Sequence, residues 1–272
     1  MTTFLLVYFS LVAFMLGACI GSFLNVCIYR IPREESVVKP RSHCPHCGKM
    51  IAWYDNVPLL SYLLLRARCR HCGGQIIPRY FLVELLTAVL FLLIWLEYGF
   101  NVRTPVYGLM VSGLILGTFV DFEHMIIPDR VSIGGIVVGL VCSVLFPSLQ
   151  GETRILPSLV DSVIGLVAGS GSLWLVGILG KWAFKKDAMG LGDVKLLGGM
   201  GALLGWEAVL FIVMVSSLMG SVIGGYLIIA GKKEWQSRIP YGPYLALSAV
   251  IWILWGQGWW KWYVNWLGGG SI

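Results

Sequence analysis

Apolar stretches of membrane-crossing length recur along this chain from end to end, and no other feature limits its fold as much. Backbone inside hydrocarbon has no water to satisfy it, so a spanning segment must close its own hydrogen bonds as a helix or join a closed barrel. Eight runs read as helical spans: residues 4–28, 81–98, 104–120, 132–148, 158–180, 194–206, 208–230 and 242–259. Crossing about 30 Å at about 1.5 Å per residue takes about 20 residues. The sixth run opens Val194-Lys195-Leu196-Leu197-Gly198-Gly199 and is short and glycine-rich. It is expected to enter at an angle or to be shielded by its neighbours. Composition agrees with this reading: 57% of residues are hydrophobic and 12% charged, whereas soluble domains run at about 45–50% apolar and about 25% charged. Intrinsic disorder is excluded, and a large water-soluble domain is not expected. The expected fold is an all-α membrane protein, a bundle of about eight transmembrane helices carrying one small polar domain.

Charge orients the bundle. Residues 29–80 hold nine Lys/Arg, and Arg130, Lys181, Lys185, Lys186, Lys195, Lys232, Lys233 and Arg238 fall on the same side, against Arg103, Arg154 and Lys261 on the other. The crowded side is expected in the cytoplasm, with both termini outside. The formal net charge of +6 is then a topology signal and no sign of nucleic-acid binding. The first run lacks a basic leader and is too long for a cleavable signal peptide, so it reads as a retained helix. Trp259, Trp260, Trp262, Tyr263 and Trp266 follow the last run and suit an aromatic belt at the outer interface. Gly17/Gly21, Gly135/Gly139, Gly165/Gly169 and Gly220/Gly224 are each four apart and read as close helix packing.

The one sizeable polar segment, residues 30–79, separates the first helix (1–29) from the remaining bundle (80–272). It contains Cys44-Pro45-His46-Cys47-Gly48 and Cys69-Arg70-His71-Cys72-Gly73, with 21 residues between the pairs. That interval is slightly beyond the usual range for four-cysteine zinc sites. Two residues between thiolates let one tight turn present both to a tetrahedral ion, and the glycine after each pair lets the backbone curl beneath the sulfurs. A segment this small cannot build much of a core, so a structural Zn²⁺ held by Cys44, Cys47, Cys69 and Cys72 is the favoured reading. Free or redox-active thiols are the alternative. Cys19, Cys27 and Cys142 lie in spans and read as small packing residues.

Carboxylates are costly in a bilayer and draw attention where they occur. Asp121 ends the third run, ahead of Pro128-Asp129, and Asp193 closes Gly190-Leu191-Gly192-Asp193 at the start of the sixth. Both fall on the cytoplasmic side. They are 72 residues apart in sequence, yet helices three and six could bring them together. Two neighbouring carboxylates resist double ionisation and titrate as a unit. Such a pair can activate water with one member and protonate a carbonyl with the other. The alternative is two ordinary interfacial or capping residues.

At these residues the chain resembles the type IV prepilin peptidases, which mature pilins and type II secretion pseudopilins. The resemblance is carried in order by Gly21-Ser22-Phe23-Leu24-Asn25-Val26, Tyr29-Arg30-Ile31-Pro32, both cysteine pairs, Arg79-Tyr80, and Val83-Glu84-Leu85-Leu86-Thr87. Asp121 with Pro128-Asp129, Gly190-x-Gly192-Asp193-Val194-Lys195-Leu196 and Ile239-Pro240-Tyr241-Gly242-Pro243-Tyr244 complete it. It implies a GxGD-type aspartic dyad of Asp121 and Asp193 at the cytoplasmic face of the inner membrane. Gly190, Gly192 and Asp129 would support the dyad, with Asp129 capping the fourth helix.

The resemblance further implies N-methylation of the new N-terminus from S-adenosylmethionine, because members with the cysteine domain perform both steps. The substrates would be prepilins or pseudopilins lying in membrane lipid. Glu84 is a candidate base or orienter for the amine, against a packing role beside Arg79 or Tyr80. Arg79, Tyr80 and residues 49–68 are candidate contacts for the methyl donor. A transporter or channel relaying ions through its aspartates is the rival from another class.

Overall fold

The computed structural model describes residues 3–185, 189–231 and 240–267. Lys186, Lys232, Lys233, Arg238 and Ile239, which entered the charge and motif reading, lie outside the described residues, as does the Lys261 side chain. The helices are α1 (Thr3–Arg30), α2 (Leu60–Leu64), α3 (Arg79–Tyr98), α4 (Arg103–His124), α5 (Asp129–Leu145), α6 (Ile155–Phe184), α7 (Leu191–Leu204), α8 (Trp206–Ile229), α9 (Gly242–Ile251) and α10 (Gln257–Leu267). Every apolar run is thus helical. Among the described residues five helices, α1, α3, α4, α6 and α8, are long and apolar enough to cross a membrane. The other three runs fall short as single α-helices: α5 has 17 residues and α7 has 14, and a π-helical turn at Trp252–Gly256 separates α9 from α10. Hydropathy registers an apolar run but not where its helix breaks.

The packing suits lipid. Large side chains such as Leu11 and Met15 on α1, Leu175 and Leu179 on α6, and Met214 and Leu218 on α8 point outward. Three buried hydroxyls are satisfied within their own helices, Thr87 on Val83 O (2.7 Å), Ser112 on Gly108 O (2.8 Å) and Ser248 on Tyr244 O (2.8 Å). A hydroxyl bonded to the preceding turn's carbonyl hides its polarity from hydrocarbon.

The chain divides into two compact units, residues 1–116 and 117–272. In the first, α1 lies against α3 at backbone distance. A Cβ on Gly17 would stand 2.8 Å from Ala88 Cα, and one on Gly21 would stand 2.8 Å from Glu84 Cα. Asn25 Nδ2 donates to Tyr80 O (3.0 Å) along the same contact. Between these helices, residues 31–78 hold little regular structure. Their order comes from polar ties: buried Arg30 donates to Ser36 O (2.9 Å) and Pro40 O (2.8 Å), and Arg70 pairs with Asp55 at 2.6 Å.

In the second unit, α7 is the central element. Leu196 through Leu203 are buried without interruption. A Cβ on Gly139 of α5 would stand 2.8 Å from Ala202 Cβ, and one on Gly165 of α6 would collide with the Gly201 carbonyl. Ser162 and Gln150 both donate to Ala202 O, at 2.6 and 3.0 Å. The short, glycine-rich helix is therefore shielded by its neighbours, and its glycines are what let two helices approach it. Gly220 differs: a Cβ there would find nothing nearer than Tyr241 at 3.8 Å, so close packing does not explain it.

Candidate active site and metal centre

The cysteine cluster assembles from two copies of one turn. Gly48 N–H donates to Cys44 O and Gly73 N–H to Cys69 O, both at 2.9 Å. Both glycines take φ +69°, in the left-handed region that disfavours a side chain. Single β-bridges, His43 with Met50 and Arg68 with Gln75, close the two turns. The sulfurs of Cys44, Cys47, Cys69 and Cys72 all lie within 4.8 Å of one another, and Cys44 Sγ is 3.9 Å from Cys72 Sγ. Four thiolates about 2.3 Å from a tetrahedral zinc would stand about 3.8 Å apart, so the donor set fits that ion. The long interval between the pairs is folded, as a 3₁₀ turn at Trp53–Asn56 followed by α2. Arg70 beside Asp55 holds that carboxyl below the usual carboxylate range.

Asp121 and Asp193 both line one cleft of about 240 Å³, shared with Met125, Ile126, Ile127, Asp129, Gly190, Leu191 and Gly192. Asp121 sits in the last turn of α4 and is 6% exposed. The helix ends just beyond it, where Met125 adopts φ +53°. Asp193 is in the first turn of α7, whose N-cap is Gly190. It is hydrogen-bonded to the Gly190 backbone and close enough to Asp121 for their charges to interact. An acidic residue in the first turn of a helix is favoured by the helix dipole, which is the ordinary reading of Asp193. That reading alone leaves two facts over: Asp193 Oδ1 is buried with no hydrogen-bond partner among the described residues, and a second carboxylate faces it. Both glycines ahead of Asp193 leave little room for a side chain. A Cβ at Gly190 would stand 3.0 Å from Asp193 Oδ2, and one at Gly192 would stand 3.1 Å from Ile127 Cβ.

Asp129 departs from its expected role. Pro128, not Asp129, occupies the N-cap of α5, and no side-chain cap bond forms there. Asp129 is the first helical residue and instead pairs with Lys195 Nζ at 2.7 Å, with its side chain largely exposed. Proline's fixed φ starts the helix, which frees the aspartate for the cation.

Glu84 lies in the first unit, 8% exposed. Leu59 N–H donates to its Oε2 at 2.7 Å, and the Ser22 hydroxyl also bonds it. One carboxylate thus ties the cysteine segment to α1 and α3.

Sequence reasoning gave no role to Gly242, Tyr241 or Ser216. Gly242 N–H donates to Asp121 Oδ2 at 3.2 Å. A Cβ on Gly242 would stand 2.8 Å from that oxygen. The preceding residue, Tyr241, is hydrogen-bonded through its hydroxyl to Ser216 (2.7 Å) and Ser217 (3.3 Å) on α8. The available signal was the glycine between Pro240 and Pro243, a stiff turn built around one residue small enough to touch a carboxylate.

Comparison with known proteins agrees with this geometry. Residues 15–98 match the bacterial peptidase A24 N-terminal domain, and residues 108–225 match the type IV leader peptidase family. The chain is similar to a prepilin leader peptidase/N-methyltransferase of Aeromonas hydrophila, 39% identical over 95% of this chain and 94% of that one. It is likewise similar to proteins of that name from Pseudomonas aeruginosa, 34% identical over 92% and 91%, and from Myxococcus xanthus, 39% identical over 82% of this chain and 64% of that one. No solved structure matches. The chain belongs to the type IV leader peptidase family.

Proposed function

We propose that this protein removes the leader peptide of type IV prepilins or pseudopilins and then methylates the exposed N-terminal amine. The observation that carries the peptidase reading is the one cleft holding Asp121 and Asp193, with Gly190 and Gly192 leading into the second carboxylate. In this reading one carboxylate of the dyad takes a proton from water while the other gives one to the scissile carbonyl. Gly242 N–H and the Gly190 backbone fix the two side chains. Asp129 lines the same cleft as a supporting residue, oriented by Lys195. The family assignment does not favour the transporter or channel alternative.

For methyl transfer the supporting observation is Glu84, a buried carboxylate bonded to the cysteine segment. The amine must be neutral to attack the methyl group of S-adenosylmethionine, and a carboxylate beside it can orient it and take its proton. Zn²⁺ on Cys44, Cys47, Cys69 and Cys72 would hold residues 30–79 in shape; four thiolates leave it no open position, so its role is structural. Residues 1–29, 30–79 and 80–272 then act as first helix, zinc-stapled domain and peptidase bundle. The uneven split of lysines and arginines supports an inner-membrane location, the dyad facing the cytoplasm and both termini outside. The test is incubation of the purified protein with a prepilin and S-adenosylmethionine in detergent, read by intact mass. A product lacking the leader and carrying one added methyl group is expected; an unchanged prepilin would refute the assignment.

A further inference from the structure

Helix α2 is short, lies outside every long apolar helix, and still presents an apolar face. Leu60, Leu63 and Leu64 are 53%, 61% and 72% exposed. Spaced i, i+3, i+4, they share one side of the helix. The other side is occupied. Ser61 is buried and donates to Tyr54 O at 3.0 Å, and Tyr62 stacks on Phe81 with ring centroids 5.2 Å apart.

Two contacts fix the depth of this helix. Phe81 and Glu84 are the third and sixth residues of α3, about 3 and about 8 Å along its axis from Arg79. Tyr62 rests on the first and Leu59 N–H is bonded to the second. Leu59 holds φ +62°, a conformation uncommon outside glycine, so this junction is set by specific contacts. Helix α2 therefore lies along the first two turns of a helix with the length and hydropathy of a membrane span. That span itself presents exposed Leu82 and Leu86. Arg66 and Arg68 follow α2 directly, and both are exposed.

We propose that the outer face of α2 is a lipid-contacting surface: Leu60, Leu63 and Leu64 sit in the bilayer interface, with Arg66 and Arg68 on anionic headgroups. Three leucines on one exposed face are unfavourable in water and favourable at the boundary of acyl chains and headgroups. Arginine has the long stem and fork suited to the adjoining phosphates. The placement of α2 beside the first turns of a helix with its own exposed leucines, together with the two arginines, selects lipid over the apolar segment of a peptide substrate. The inference rests on α3 crossing the membrane and is independent of the catalytic reading.

The experiment places p-benzoylphenylalanine at Leu64 in the full-length protein, and in a second preparation at Leu86 as the lipid-facing reference. Both are put in nanodiscs of phosphatidylcholine and phosphatidylglycerol, irradiated and read by intact mass. One added lipid per chain is expected at each site, unchanged by an excess of prepilin. Joint Arg66→Glu and Arg68→Glu substitution should shift the adduct at position 64 from phosphatidylglycerol toward phosphatidylcholine. Lipid at position 86 with none at 64 would overturn the proposal. So would a prepilin adduct replacing lipid at 64, which would make the face a substrate surface. An unaltered lipid preference in the arginine variant would remove the headgroup contact.

Discussion

The cysteine segment and the aspartate cleft are built by opposite means. In residues 30–79, two near-identical turns bring four sulfurs within 4.8 Å, and hardly any regular structure surrounds them. In the second unit, two carboxylates 72 residues apart reach one cleft only because α5 and α6 close on a buried, glycine-rich α7 and because Gly242 touches Asp121. The first arrangement is local and its donor set fits a tetrahedral ion; the second is global and is held by the bundle around α7. The difference teaches where each can be broken. Losing a ligand should disorder the cysteine segment, whereas losing a carboxylate should stop chemistry in a unit that stays folded.

The largest effect should come from the dyad. Asp121→Asn and Asp193→Asn should each lower the cleavage rate by about 10³-fold or more while the protein still purifies folded, since each removes half of an acid–base pair. Initial rates on a prepilin peptide, alongside thermal melts in detergent, would decide this; normal rates for either variant would end the assignment. Gly242→Ala should follow, at about 10²-fold, the scale set by displacing a catalytic group by about 1 Å. The added Cβ meets Asp121 Oδ2 at 2.8 Å, so kcat should fall more than KM rises.

The first unit should answer differently. Glu84→Gln should leave cleavage largely intact and reduce methylation by about 10²-fold, measured as the methylated fraction of the mature N-terminus. If both steps failed together, the carboxylate would be a structural tie between Leu59 and α3 and nothing more. Gentle purification should recover about one zinc per chain, counted by elemental analysis. Removing it, or changing Cys44 or Cys69 to Ser, should raise proteolytic cutting of residues 30–79 and harm methylation more than cleavage. The smallest effect is expected from Asp129→Asn. The Asp129–Lys195 pair is exposed, and such pairs contribute about 0–1 kcal/mol, so most cleavage activity should remain. A dead Asp129→Asn variant beside an active Asp121→Asn variant would transfer the first catalytic place to Asp129.

What could be read from sequence follows the same division. The four-cysteine cluster was legible because its geometry is local: Cys-x-x-Cys-Gly fixes a turn, and two such turns can bring four sulfurs together. The helices were legible because apolar runs report them, down to the shielding of the short Gly-rich segment at 194–206. The pairing of Asp121 with Asp193 was not legible from spacing. It depends on interhelical packing, which periodicity does not encode: their shared membrane face left the pairing as one of two readings, and the ordered motifs favoured it. Gly242 was missed for the same reason, since its partner is 121 residues away. The capping role expected of Asp129 was wrong because Pro128 takes the N-cap of α5 and no side-chain cap bond forms. The π-helical turn at Trp252–Gly256 was also hidden, because it leaves no mark in hydropathy.

The central claim is that cutting and methyl transfer use different residues on one chain. It is tested most directly by giving the Asp193→Asn protein, with S-adenosylmethionine, two substrates in parallel: an intact prepilin and the same pilin already cut. Intact mass reads both. The account predicts that the prepilin returns unchanged while the cut pilin gains one methyl group. A cut prepilin would contradict the role of Asp193, and a cut pilin left unmethylated by folded protein would contradict the separation of the two activities.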